Sequence, residues 1–253
     1  YLISNGYNPP LMSGECSLPE ELEENSVTKV KVIRSCGYRR ITFSGYNWRV
    51  KSSTSKLGPG PNYFSDSEEN VWVDNQGQLH LKINKRGEKW YCAEVILEES
   101  FGYGKYVFYL GNRVDILNEN IVLGLFTWDD CYNPTYGNRE IDIEFSRWAK
   151  VDNENAQFVV QPYDRPGNMH RFNMQQDCEE STHSFTWGED SIEFRSIYDN
   201  SVEPWTYTGG ELPQPGSENA RINLWLFGGN PPSDGEEAEI VIKKFKYIAT
   251  FPI

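Results

Sequence analysis

The sequence predicts an all-β sandwich, and three observations carry that reading. About a dozen short segments alternate apolar and polar residues with a period of two, and no stretch has the 3.6-residue periodicity of an amphipathic helix. Aromatic residues make up 14% of the 253-residue chain, alongside 21 Gly and 14 Pro, so strand-forming side chains and tight-turn residues are both plentiful. No fixed-period repeat or blade signature occurs, which removes a propeller.

Residues 1–38 are Pro-rich and acidic around "SLPEELEENS" and read as an N-terminal extension or linker, leaving 39–253 as one β-domain. The segment "ITFSGYNWRV" opens the strands. A loop follows, "SSTSKLGPGPNYFS", whose Gly and Pro exclude regular structure and which carries Asn62. "VWVDNQGQLHLKI" reads as a hairpin turning at Asn75, Gln76 and Gly77. "WYCAEVILEES" and "YGKYVFYL" are expected to pair with each other around Gly102 and Gly104. "NIVLGLFTW" is an almost unbroken apolar run, as in a strand covered on both faces. After the acidic segment discussed below, "AQFVVQPY", "NMHRFNM", "HSFTW", "SIEFRSIY", "ARINLWLF" and "AEIVIKKFKYI" complete the set.

Charge and motifs narrow the function. A formal net charge of −13 repels phosphate backbones, which argues against a nucleic-acid partner, whereas a neutral polysaccharide is indifferent to that field. No apolar run is long enough for a membrane-spanning helix. The start "YLISNGYNPP" has no charged or apolar leader region, so a signal peptide is read as removed or not represented. Cys16, Cys36, Cys92, Cys131 and Cys178 show no zinc-ligand spacing; a Cys16–Cys36 staple is open to the chain if the compartment is oxidising, the odd count leaves at least one thiol free or paired between chains, and a secreted, cell-surface or periplasmic location is the expectation. His80, His170 and His183 are too far apart in sequence for a metal-ligand motif and read as strand or core residues. There is no G-x-S-x-G elbow and no phosphate-cradling loop. No cofactor and no metal are expected, a structural calcium is not indicated, and the protein is expected to act as a monomer.

The chemistry is concentrated in "GNREIDIEFSRW", residues 137–148. Only a period of two places Glu140, Asp142 and Glu144 on one side and Ile141, Ile143 and Phe145 on the other, so this is a strand with an apolar back and an acidic front. A solvated edge strand and a carboxylate metal cage are competing readings. Two carboxylates flanking a glycosidic bond are what retaining hydrolysis requires. Four residues of strand separate the Glu140 and Glu144 Cα atoms by roughly 13 Å, and side chains leaning together bring the carboxyls to about 5–6 Å, inside the retaining range. Asp142 stands between them, able to share a proton with Glu140.

"EIDIEF" resembles the active-site strand of family-16 glycoside hydrolases, in the branch without a bulge residue that holds lichenases and xyloglucan-active enzymes. "CAEVILEESFGYGKYVFYL", "HSFTWGEDSIEF" and "INLWLFGG" are similar to further stretches of that family, over about residues 41–250. The resemblance implies a concanavalin-like β-jelly roll of two curved antiparallel sheets with a glycan groove. It implies Glu140 as nucleophile, Asp142 as its helper, Glu144 as acid/base, and a polysaccharide substrate. Glu94, Trp128, Asn223, Trp225 and Asn62 fall in the implied substrate-binding set, with core packing the competing role for both tryptophans. Departures concentrate in the sugar-binding wall: Asn138 and Arg139 stand where lichenases have Trp and Asp, Ile96 replaces an Arg, and Val159 and Gln161 replace an Asn and a Tyr. The Cys that would partner Cys92 is missing beside Trp48, and the calcium-associated C-terminal Asp is replaced. The leading expectation is an endo-acting retaining β-glycosidase; a silent carbohydrate-binding jelly roll and a transglycosylase are the alternatives.

Overall fold

The computed structural model describes residues 38–131, 134–210 and 212–250, and strands occupy the stretches in which apolar and polar residues alternate. In chain order these are β1 (Arg40–Phe43), β2 (Tyr46–Val50), β3 (Tyr63–Phe64), β4 (Val71–Val73), β5 (Leu79–Arg86), β6 (Lys89–Leu97), β7 (Gly104–Leu110) and β8 (Ile121–Trp128). They continue as β9 (Ile141–Phe145), β10 (Ala156–Val160), β11 (Met169–Phe172), β12 (Ser181–Trp187), β13 (Ile192–Tyr198), β14 (Ser201–Tyr207), β15 (Asn219–Leu226) and β16 (Ala238–Ile248). Short 3-10 turns at Pro134–Arg139 and Phe227–Gly229 are the only helical segments among the described residues.

The strands form a jelly roll. One antiparallel layer runs β11-β10-β9-β8-β15-β6 and continues through β2 to β1. The other runs β5-β16-β7-β12-β13-β14, with β4 beside β5. The β5–β6 hairpin, turning at Gly87 (φ +60°), belongs to both layers, so one curved ladder wraps the core. Short β3 lies parallel to β6.

In β13, Ile192, Phe194, Ser196 and Tyr198 are buried while the residues between them are exposed, so one face of that layer meets water. In β9 and β10 every residue is buried. Between the layers, Phe158 stacks on Phe194 at 5.1 Å and Phe145 meets His183 edge-on at 4.7 Å. His183 is fully buried between the Ser181 and Ser196 hydroxyls, each 2.8 Å away, and burial pushes it down to about 3.

One expectation about pairing needs correction. β6 and β7 do not pair: β6 lies between β15 and β5, whereas β7 lies between β16 and β12. Gly102 (φ +68°) and Gly104 (φ +152°) turn the chain from one layer into the other, and a Cβ on Gly104 would lie 2.4 Å from the Tyr247 ring. β14 is a strand that the alternating pattern does not display, because Pro204 interrupts "SVEPWTY"; the proline is tolerated because β14 ends its layer and pairs on one side only. The Asn75–Gly77 turn forms as expected, with Asp74 Oδ1 accepting from the Gln76 and Gln78 amides. The N-terminal extension and the Cys16–Cys36 pairing lie outside the described residues. Cys131 is disulfide-bonded, and Cys92 and Cys178 are free thiols.

Candidate active site

The acidic strand is an inner strand, paired to β8 and β10, so its carboxylates do not serve to protect an edge. Register builds the site around it. One row across the layer reads Arg171, Gln157, Glu144, Gly124, Asn223 and Glu94, each opposite the next. The adjacent row reads Val159, Asp142, Phe126, Arg221 and Ile96. The period of two puts both rows on the face opposite Ile141, Ile143 and Phe145, whose burial in the core contributes roughly 1.5–3 kcal/mol apiece. That apolar back holds three acids in place although Glu140, Asp142 and Glu144 are only 8%, 2% and 5% exposed.

Burial is the first cause of their altered acidity. It raises Glu140 well above the ordinary carboxylate range, helped by the charge of Glu144 and opposed by a hydrogen bond with Asp142. It raises Asp142 likewise, and the charges of Glu140 and Glu144 push the same way. The shared hydrogen bond lowers Glu140 and raises Asp142, so of the two Asp142 holds a proton more firmly. Gln161 Nε2 donates to Asp142 Oδ2 at 3.0 Å. Burial also takes Glu144 up to about 6, while Gln157, donating from Nε2 to Glu144 Oε2 at 2.6 Å, pulls it down. Gln157 is itself oriented by Arg171, whose Nε donates to Gln157 Oε1 at 2.8 Å.

Glu140 is delivered by an unusual turn. Gly137, Asn138 and Arg139 have φ of +52°, +61° and +53°, a left-handed stretch that costs of order 1–3 kcal/mol at each non-glycine position. A dense set of contacts holds it. Arg139 Nη1 lies 2.6 Å from Asp129 Oδ2 and its Nε donates to Gln214 O at 2.6 Å. Asn138 Nδ2 donates to Asp129 O at 3.2 Å, and Thr127 Oγ1 donates to Arg139 O at 2.8 Å. Asn138 and Arg139 therefore serve as the support that carries the chain into Glu140.

The implied binding residues fall into two groups. Glu94 is buried, 2.7 Å from Lys51 Nζ and 3.5 Å from Arg221 Nη1. Trp128 is half-buried at the end of β8, on the face that carries Phe126 and Asp142. Asn223 stands opposite Gly124 and Glu94. Trp225 is 2% exposed and its ring meets Trp148 and Phe227, so packing occupies it. Asn62 donates both to Pro59 O at 2.9 Å and to Leu226 O at 2.8 Å, tying its loop to the end of β15. An open depression between β1 and β4, lined by Arg39, Trp72 and Lys82, contains none of these acids.

The reading of the sequence did not single out Gln157, Arg171 and Arg221, and noted Gln161 only as a replacement. Their signal is polarity at alternate positions of otherwise apolar runs: Gln157 and Gln161 in "AQFVVQPY", Arg221 and Asn223 in "ARINLWLF". Arg221 stands directly opposite Ile96, the position where the resemblance expects an Arg.

No protein-family model matches the chain, and no curated protein matches it by sequence. Solved structures do. A Bacillus licheniformis β-glucanase superposes with a TM-score of 0.62 at 23% identity, covering 85% of this chain and 99% of that one. A prokaryotic β-1,3-1,4-glucanase (lichenase) from a mouse hindgut metagenome gives 0.59 at 20% identity, covering 79% and 92%. An immunostimulatory antigen and pseudo β-1,3-glucanase of Mycobacterium tuberculosis gives 0.62 at 19% identity, covering 81% and 91%. At these identities the likeness establishes a common fold: this chain is a β-jelly roll of the kind found in β-glucanases.

Proposed function

We propose that the protein is an endo-acting glycoside hydrolase that cleaves a β-linked, β-glucan-like polysaccharide by retaining double displacement. The observation that carries this reading is the set of three buried carboxylates at alternate positions, with Glu140 hydrogen-bonded to Asp142 and Glu144 accepting from Gln157 at 2.6 Å. Glu140 attacks the anomeric carbon while Glu144 gives its proton to the departing glycosidic oxygen. Glu144, now a carboxylate, takes a proton from water, and that water attacks the anomeric carbon and releases Glu140. Asp142 keeps its proton throughout and steadies the charge on Glu140. The disulfide at Cys131 supports an oxidising, extracellular setting.

The test is a reducing-end assay over mixed-linkage glucan, laminarin, xyloglucan, agar and carrageenan. Cleavage of at least one, abolished in Glu140→Ala, is the expected result. A jelly roll similar to this one is described as a pseudo β-1,3-glucanase, which makes a silent glycan-binding protein the second reading. Binding without cleavage of any substrate would select it.

A further inference from the structure

A second concave surface lies apart from the acids, at the seam where β1 and β4 each pair on one side only. It is an open depression of about 810 Å³, lined by Arg39, Ile41 and Thr42 on one side and by Glu69, Trp72 and Lys82 on the other. That volume is within the roughly 300–1,000 Å³ of ordinary ligand sites. Trp72 stands opposite His80 in the β4–β5 ladder, and the two rings stack at 4.5 Å with 13° between their planes. Leu79, Leu81 and Ile83 of β5 are buried while His80 and Lys82 between them are half-buried, so the stacked pair sits on the outer face of its layer. His80 is held at both ring nitrogens, Nδ1 2.8 Å from Glu239 Oε1 and Nε2 3.2 Å from Asp74 Oδ2. One side of the indole is thus fixed on His80 while the ring lines the depression, a rigid aromatic plate with little side-chain freedom left to lose on binding.

We propose that this depression is a second glycan-binding site, which takes a segment of neutral polysaccharide with one pyranose ring laid on Trp72. The proposal goes beyond the glycosidase reading and stands without it, since binding here uses none of the acids of β9. A pyranose presents an apolar face of C–H groups and a rim of hydroxyls, each both donor and acceptor. The indole meets the first, and the charged and hydroxyl side chains around it meet the second. Charge selects a neutral ligand. The lining carries two cations, Arg39 and Lys82, and two carboxylates, Glu68 and Glu69. Arg39 lies 3.9 Å from Glu68, and Lys82 is paired at 2.9 Å with Glu237, so neither cation is left to hold an anion. A sulfated or phosphorylated ligand would also approach a chain of net charge −13. β4 lies in the layer opposite β9, so a long chain held on Trp72 leaves the acids open and raises the local concentration of its own remaining length around them.

The experiment measures affinity by native electrophoresis through gels containing mixed-linkage glucan, laminarin, xyloglucan or carrageenan, using full-length Glu140→Gln protein so that no ligand is consumed. At least one neutral polysaccharide should retard the protein. Trp72→Ala should weaken that affinity by about 10-fold, and Trp72→Phe should recover part of it. Thr42→Arg, at an exposed position of the rim, should weaken it as well by filling the depression while the Trp72–His80 stack stays in place. With Glu140 restored, neither Trp72→Ala nor Thr42→Arg should change cleavage of an activated aryl β-glycoside, which is too short to span the two layers. Equal affinity in both variants, tighter binding to carrageenan, or no retardation by any neutral polysaccharide overturns the proposal. So does a matching loss of aryl-glycoside cleavage, which would trace the effect to the fold or to the acids. A dimer that Trp72→Ala abolishes without polysaccharide would make a second copy the occupant and overturn it too. Should Trp72→Ala fail to fold, Thr42→Arg decides alone. The expected affinity losses with no cleavage by the wild-type protein would sink the glycosidase reading and leave this site standing.

Discussion

A carboxylate that burial makes hard to ionise lowers the stability of the fold at any pH where it is nonetheless ionised, and Glu144 allows that cost to be worked out. Its folded-state value of about 6 stands above an ordinary value of 4.5. Stability associated with Glu144 is therefore fully present below pH 4.5 and is lost as pH rises through 6. The difference of about 1.5 units corresponds to ~2 kcal/mol at pH 8, falling to a few tenths at pH 4.5. Glu144→Gln keeps the shape and still accepts from Gln157, so it should raise Tm by roughly 4–8 °C at pH 8 and by about 1 °C at pH 4.5. Because the charge of Glu144 also raises Glu140, the gain should if anything exceed this figure. His183 acts in the opposite sense, since a histidine held at about 3 loses stability as pH falls below 6.5, but it is present in both proteins and cancels. The assay is calorimetry of the two proteins at both pH values. Equal melting temperatures at pH 8, or a gap that widens toward acid, would refute the account of Glu144 as a carboxylate strained by burial.

Activity should belong to the acid side of neutrality: kcat/KM is expected to fall with an apparent pKa near 6 as Glu144 loses its proton, a value that belongs to the coupled set, and a rate flat to pH 8 would remove Glu144 from the acid role. Trp128→Ala should raise KM far more than it lowers kcat, because stacking supports substrate and transition state alike; a large loss of Tm with KM unchanged would make Trp128 a packing residue. Glu144→Ala with azide and an activated aryl β-glycoside should release the β-azide, and Glu140→Ala the α-azide; the opposite anomers would reverse their roles. Arg139→Ala should cost about 3 kcal/mol and lower kcat more than it raises KM, since the buried Asp129 loses its cation and the turn before Glu140 loosens; a change in KM alone would place Arg139 in substrate binding instead.

The strands and the acidic face were legible because both rest on a period of two, which a single sequence displays directly. "GNREIDIEF" needs no partner to reveal which side each residue takes, and Glu140, Asp142 and Glu144 lie close enough to act on one another's acidity. What pairs with what was not legible. β6 and β7 are adjacent in sequence and separated by a glycine-bearing loop, the signature of a hairpin, yet Gly102 and Gly104 carry the chain between layers. Local chemistry encodes that a chain turns; which ladder it rejoins depends on strands more than a hundred residues away, such as β16 against β7. The partners of the acids were hidden for the same reason. Gln157 and Arg221 are polar residues in apolar runs, and only the register that lays β10 and β15 on either side of β9 and β8 makes them members of one site.

The same register explains how the fold tolerates its own chemistry. Asp142 and Glu144 on β9, and Glu140 just before it, each have an apolar neighbour in sequence that faces the core, so the segment cannot turn its carboxylates to water without drawing Ile141, Ile143 and Phe145 out of contact. A one-residue slip would exchange the two faces entirely, setting three carboxylates against His183 and Phe158. The cost of the slip is therefore the loss of core contact by three large apolar side chains together with the loss of the hydrogen bonds that Gln157 and Gln161 give the acids, which far exceeds the ~2 kcal/mol that ionising Glu144 withdraws from the native state. The carboxylates stay in an environment that raises their pKa because the core behind them leaves no lower-energy arrangement. Substitutions on the back of β9 should then act on catalysis through geometry, and Phe145→Ala should lower kcat together with stability. Full activity in a Phe145→Ala protein that melts several degrees early would show that the acids hold their places without that anchor.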